Sequence, residues 1–178
     1  IEEIFRIYGL NEIPTDSRLS FSYNSRQYPD PTTVKSDIAK LLSGIGLHEI
    51  MSVSLTQSSY FEKGFNIPRE KLVFINNTGN VHLDIMRPTL LVSGIEALSY
   101  NINRQQHNQQ NNYRFFEFGR KYIKEDDQIL EKDQLAIFMV GQRWPENWNI
   151  ADKSKLGFGD IKAVVEYILN KTGISGYQ

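Results

Sequence analysis

Asp84-Ile85-Met86-Arg87-Pro88-Thr89-Leu90-Leu91-Val92-Ser93-Gly94-Ile95-Glu96-Ala97-Leu98-Ser99-Tyr100-Asn101-Ile102-Asn103-Arg104 opens the stretch around which the rest of the chain is organised. It is followed by the polar run QQHNQQNN (105–112) and by Arg114-Phe115-Phe116-Glu117-Phe118-Gly119-Arg120-Lys121-Tyr122. Pro88 suits a first helical turn, because it has no N–H to leave unpaired and its φ is already helical. Leu91, Ile95, Leu98 and Ile102 recur at helical spacing, which predicts a helix with one apolar face. Phe115 to Ile123 is short, aromatic-rich and followed by acidic residues, which predicts a strand. Residues 105–112 cannot bury enough apolar surface to fix themselves and read as a mobile loop.

These residues carry a resemblance. Met86 to Leu91, then Asn101 to Arg104, then Phe116-Glu117-Phe118-Gly119-Arg120 resemble the beta subunit of bacterial phenylalanyl-tRNA synthetase. Three further stretches fit that family in the same order: Ile1 to Pro14 (IEEIFRIYGLNEIP), Gly46 to Leu55 (GLHEIMSVSL) and Gly157 to Leu169 (GFGDIKAVVEYIL). The resemblance implies residues 1–14 as the tail of a preceding domain. It implies residues 15–178 as a C-terminally incomplete class II synthetase-like core. The fold class expected is α+β: a largely antiparallel sheet with helices packed on one face, resembling a class II aminoacyl-tRNA synthetase core. The chain opens without Met inside a helical pattern and reads as an excised piece of a longer subunit.

Composition narrows the classes. With 178 residues there is room for one domain with a real core, and 20 basic against 21 acidic side chains leave a net charge of −1. No global field favours nucleic acid, so any RNA contact is local or made by other parts. The absence of Cys excludes disulfides and thiolate metal sites. No run approaches the roughly 18 apolar residues of a membrane span, and no signal peptide opens the chain.

In chain order, Ile1, Ile4, Phe5 and Tyr8 share a helical face, Gly9 ends that helix and Pro14 stops it. Thr15 to Pro31 reads as linker and turn. Thr32 or Thr33 is the expected cap of a helix whose stripe is Val34, Ile38, Leu41, Leu42 and Ile45, ended by Gly44 and Gly46. Met51, Val53 and Leu55 alternate with Ser52, Ser54 and Thr56, a strand with one buried face. That helix and strand resemble the first class II motif, which builds the subunit interface in that class. Ser58 to Gly64 reads as a short helix, Lys71 to Ile75 as a strand and Asn76 to Asn80 as a turn. Lys124 to Asp133 reads as a charged hairpin connection, and Gln134 to Val140 as a buried strand. Asp160 to Leu169 reads as the last helix, with Ile161, Val164, Val165, Ile168 and Leu169 inward.

The resemblance also names partners and sites. Glu2 and Glu3 match two glutamates that help bind magnesium at the junction with the alpha subunit; the matching Asp would precede Ile1. Adjacent helical carboxylates diverge by about 100° and chelate poorly without other oxygen ligands, so a solvated first turn is the competing reading. Arg87 sits near a helix start, where a cation is mildly unfavourable. It holds a specific carboxylate or phosphate, or makes a surface pair. Trp144 and Trp148 stack a base, meet a subunit partner or cover the core edge. Together with Arg104 and Arg120 these are the candidate interface or tRNA residues. The family implies an alpha2beta2 assembly in the cytoplasm that uses ATP and binds tRNA.

A working class II site needs an Arg and a Glu two apart on one strand, and a late Gly-rich element ending in Arg. Here Phe115 stands two before Glu117, and Arg114, three before, faces the other side of the strand. An aromatic ring cannot neutralise phosphate. Gly157-Phe158-Gly159 leads to Asp160 and Lys162, not Arg. The expectation is therefore no catalytic residue and no ATP bound by this chain. The function implied is that of a supporting core in phenylalanine–tRNA ligase. A stand-alone binding module is the alternative, and an active ligase with unusual residues is a third reading that Phe115 opposes. His48, His82 and His107 lack ligand spacing, Lys171-Thr172 lacks the glycines of a phosphate loop, and Glu125-Asp126-Asp127 lacks the Gly and terminal Glu of a calcium loop.

Overall fold

Turn chemistry and strand parity account for most of the observed architecture. A computed structural model describes residues 1–14, 18, 20, 29–65, 67–104, 112–144, 148, 149 and 151–177. The expected loop at 105–112 lies, apart from Asn112, outside the described residues. The chain divides into two compact units, Ile1–Asp30 and Pro31–Gln178.

In the first unit, helix α1 (Glu2–Tyr8) runs into a 3₁₀ turn at Leu10–Glu12. Gly9 ends α1 as expected, at a left-handed φ of 96° that glycine adopts without strain, and its N–H bonds back to the Phe5 carbonyl at 2.9 Å. The shared apolar face of Ile1, Ile4, Phe5 and Tyr8 stays exposed, and α1 buries no residue.

The second unit contains α2 (Pro31–Gly44), β1 (His48–Glu49), β2 (Leu55–Thr56), α3 (Ser59–Lys63), β3 (Val73–Phe74) and β4 (Ile85–Met86). It continues with α4 (Leu91–Arg104), β5 (Tyr113–Glu125), β6 (Gln128–Val140) and α5 (Phe158–Lys171). Helix α2 begins at Pro31, ahead of the expected Thr caps, which fits the preference for proline at a first helical position.

The class is α+β, but the strands form two sheets rather than one. The order β1-β5-β6 is mixed, with β1 parallel to β5, and β2-β4-β3 is antiparallel. Helices cover both faces of the mixed sheet, which corrects the one-face expectation. Phe116 and Phe118, with Ile137 and Leu135 opposite them, pack with Ile38, Ala39 and Leu42 of α2 and Val164 and Ile168 of α5. The other parity carries Phe115, Glu117 and Gly119, facing α4 and the segment before it. Three consecutive buried residues in β5, Phe115 to Glu117, are incompatible with a solvated face.

The hairpin connection is far shorter than the charge run suggests. β5 and β6 pair from Tyr113↔Val140 to Glu125↔Gln128, and Asp126 (φ 48°) and Asp127 (φ 61°) alone make the turn. Two successive left-handed residues match the right-handed twist of the strands. The expected buried strand from Met51 to Leu55 is also corrected. Met51 and Val53 are 95 % and 64 % exposed, and only Leu55 and Thr56 are in a strand. In α5, Ile168 is buried, whereas Val165 is exposed.

Candidate functional site

The segment from Asp84 to Leu90, which carries β4, is pinned at both ends. At its start the Asp84 carboxylate accepts from the Ser58 N–H at 2.7 Å and from the Ser58 hydroxyl at 2.6 Å. At its end the Thr89 hydroxyl accepts from the Leu91 N–H at 3.2 Å, a helix-entry contact. That places the start of α4 at Leu91, three residues beyond the expected Pro88. The predicted stripe is only partly inward: Leu91 and Ile95 are exposed, while Val92, Ser93 and Gly94 are buried.

Between those pins sits Arg87, 2 % exposed. Its N–H donates to the Ser54 carbonyl at 2.9 Å and its carbonyl accepts from the Tyr122 N–H at 3.0 Å. Its Nε donates to the Arg120 carbonyl at 3.1 Å, and its Nη1 donates to Glu117 Oε1 at 2.6 Å. Glu117 is 1 % exposed, and the same Oε1 accepts from the Ser52 N–H at 3.2 Å. Of the readings open in sequence, a specific carboxylate partner is the one observed. Among the described residues Glu117 Oε2 has no hydrogen-bond partner.

Gly119 belongs to this centre. A Cβ there would overlap Arg87 Nη2 and lie 3.0 Å from Leu90 Cδ2. A glycine inside a strand signals a close approach, and that signal was present in the sequence.

Phe115 is buried in register with Phe138, whose ring sits against Gly94. Arg114, on the other face, donates from Nη2 to the Arg143 carbonyl at 2.6 Å. The Arg143 guanidinium in turn donates to both carboxylate oxygens of Asp160, at 2.9 and 3.3 Å. The Gly157 N–H and Arg143 together hold the Asp160 carboxyl below the usual carboxylate range. No cation stands two residues before Glu117, so this strand presents no Arg–Glu pair of the class II kind.

The other candidate residues do not converge on Arg87. Arg120 meets it only through its carbonyl, and its exposed guanidinium bonds Glu131 at 2.7 Å and Asp133 at 3.1 Å. Those two bonds raise the Arg120 pKa and lower those of Glu131 and Asp133. Arg104 lies 4.1 Å over the Tyr100 ring at the exposed end of α4. Trp148 is 97 % exposed, whereas Trp144 is half-exposed and lines a cavity with Arg114 and Arg143 that spacing alone did not reveal.

Glu2 and Glu3 are exposed on α1, and Glu3 pairs with Arg6 at 3.7 Å. Among the described residues no three acidic or histidine side chains are grouped to hold a metal, so these two carboxylates do not by themselves fit magnesium. No described helix is long and apolar enough to cross a membrane.

Comparison with known proteins then gives a consistent result. A family model described as the phenylalanyl tRNA synthetase beta chain CLM domain matches residues 17–178. The phenylalanine–tRNA ligase beta subunit of Porphyromonas gingivalis is 35 % identical over 98 % of the chain, and that of Bacteroides fragilis is 31 % identical over 98 %. The chain spans 22 % of the length of each of these relatives. Among solved structures, a pyrrolysyl tRNA synthetase from Desulfitobacterium hafniense superposes with a TM-score of 0.57 at 16 % identity, covering 83 % of this chain and 46 % of that one. An ATP phosphoribosyltransferase regulatory subunit/histidyl-tRNA synthetase from Bacillus halodurans gives 0.57 at 13 % identity, covering 92 % and 40 %. At such identities the likeness is one of fold.

Proposed function

The chain belongs to the phenylalanyl-tRNA synthetase beta chain family, and from that premise we propose that it is a non-catalytic supporting core of a phenylalanine–tRNA ligase. In this reading it packs on a catalytic alpha subunit in an alpha2beta2 enzyme of the cytoplasm and helps position tRNA. ATP is consumed by the intact enzyme and is not bound by this chain.

The Arg87–Glu117 pair is the observation that carries the proposal. A carboxylate that serves ATP must face an open site beside a cation. Glu117 instead faces a buried guanidinium and the Ser52 amide, and Phe115 fills the position where phosphate would need an Arg. Met51 and Val53, exposed on the chain between β1 and β2, give the kind of apolar surface that a partner subunit covers. Magnesium at Glu2 and Glu3 would require further oxygen ligands, since among the described residues no acidic or histidine group joins them.

Co-purification with the alpha subunit from the same cell, followed by light scattering, tests the assembly. A stable complex is the expected outcome. Failure of the intact beta subunit to bind would remove the proposal and favour a stand-alone binding module. Phe115→Arg tests the non-catalytic part: one added guanidinium should leave ATP binding undetectable by calorimetry, whereas measurable ATP binding in either form would contradict it.

A further inference from the structure

The two tryptophans part company in the structure. Trp148 is 97 % exposed, but Trp144 lines a cavity of about 380 Å³ at the first turns of α5. Met139 and Val164 contribute apolar lining, and Arg114 and Arg143 bring two guanidinium groups. Among the described residues Asp160 is the one carboxylate lining the cavity, and Arg143 and the Gly157 N–H already occupy both of its oxygens. Arg114 makes no ion pair among the described residues, and its bond to the Arg143 carbonyl at 2.6 Å fixes its direction. The cavity therefore combines an accessible indole, an apolar lining and, among the described residues, two guanidinium groups against one carboxylate.

From this geometry we infer that the cavity takes one unpaired nucleotide, with its base against Trp144 and its phosphate at Arg114. An aromatic face stacks any base, and a guanidinium suits phosphate. With about 380 Å³ and two guanidinium groups in one place, the cavity suits a single-nucleotide contact rather than a longer track. The inference rests on the proposed role in a tRNA-handling enzyme and adds the residues that would touch RNA.

The test starts from Trp148→Phe, which leaves Trp144 as the sole indole. This chain is titrated with AMP, with a single-stranded ribotetranucleotide and with a matching RNA duplex while its emission is read. AMP and the tetranucleotide should quench saturably, the duplex far less, and added salt should weaken the effect. Arg114→Gln should cost about tenfold in affinity, and Arg114→Lys should recover part of it. Anisotropy of a labelled tetranucleotide reads Trp144→Leu, expected to lose about tenfold, and Trp144→Phe, expected to retain binding. Absence of saturable quenching at millimolar AMP, or indifference to Arg114→Gln in a chain with unchanged circular dichroism, overturns the inference. The same variants are assayed for alpha-subunit binding. If Arg114→Gln weakens that complex and nucleotide never binds, the cavity is a protein contact and the nucleotide assignment falls. If wild-type chain and intact beta subunit bind no alpha subunit, it is the supporting-core reading that fails, independently of the nucleotide titration.

Discussion

Arg87 Nη1 and Glu117 Oε1 meet at 2.6 Å with both side chains almost wholly withdrawn from water, thirty residues apart in the chain. Removing one partner leaves the other charge buried and uncompensated. Glu117→Leu and Arg87→Met should each cost about 3–5 kcal/mol. Arg87→Met combined with Glu117→Leu should cost clearly less than the two single losses together. Urea unfolding of the four proteins checks this, and strict additivity would contradict the coupling.

Gly119→Ala should destabilise by about 1–3 kcal/mol, because the new methyl meets a guanidinium held by both Glu117 and the Arg120 carbonyl. Gly94→Ala should also destabilise, against helix propensity, since its Cβ would enter the Phe138 ring. Gly159→Ala in α5 meets nothing within 4 Å and should stabilise by up to about 1 kcal/mol. Thermal melts that rank all three alike would refute the packing described.

The hairpin turn is open to improvement. Asp126 and Asp127 both have positive φ, which asparagine and glycine adopt at lower cost. Asp126→Asn combined with Asp127→Gly should raise stability by about 0.5–1 kcal/mol, even though the exposed Lys124–Asp127 pair is lost. An unchanged or lowered denaturation midpoint would argue against a left-handed pair at this turn.

The Asp160 carboxyl, lowered by the Gly157 N–H and by Arg143, predicts an acid limb. A group whose folded pKa is depressed contributes stability that is present above its unfolded value of about 4 and is lost as pH falls through the lower folded value. The difference in Tm between wild type and Asp160→Asn should therefore be largest above pH 4 and shrink below it. A difference that stays constant from pH 7 to pH 2 would rule this out.

Local signals made much of the fold legible. Phe115 to Ile123 read as a strand and is one; α2 and α5 lie where apolar spacing placed them, and Gly9 ends its helix. What was lost depended on the third dimension. Pro88 looked like a first helical residue, but the Thr89 hydroxyl sets the start of α4. The charge run after Ile123 hid paired strand, because an exposed hairpin arm tolerates Lys and Glu on its solvent side. Alternation at Met51 and Val53 promised burial, but both stay largely exposed. At the candidate site, position two before Glu117 was decisive in sequence, and the mild electrostatic misfit of Arg87 pointed to a carboxylate. Its identity as Glu117 was out of reach, since no spacing rule links those two positions. The cavity beside Trp144 was hidden for the same reason.

The parallel pairing of β1 with β5 carries a consequence for the order of assembly. β5 and β6 are joined by two residues and can zip from their own turn, an event of microseconds. β1 has no such neighbour. The Ser52 amide reaches Glu117 across sixty-five residues, a span that contains the whole second sheet and α4. Closing that loop is the entropically demanding step, so the hairpin should form before β1 docks. In pulse-labelled refolding, amides of the hairpin would gain protection first, and the Ile50 amide, bonded to the Phe116 carbonyl at 2.9 Å, would report completion of the domain.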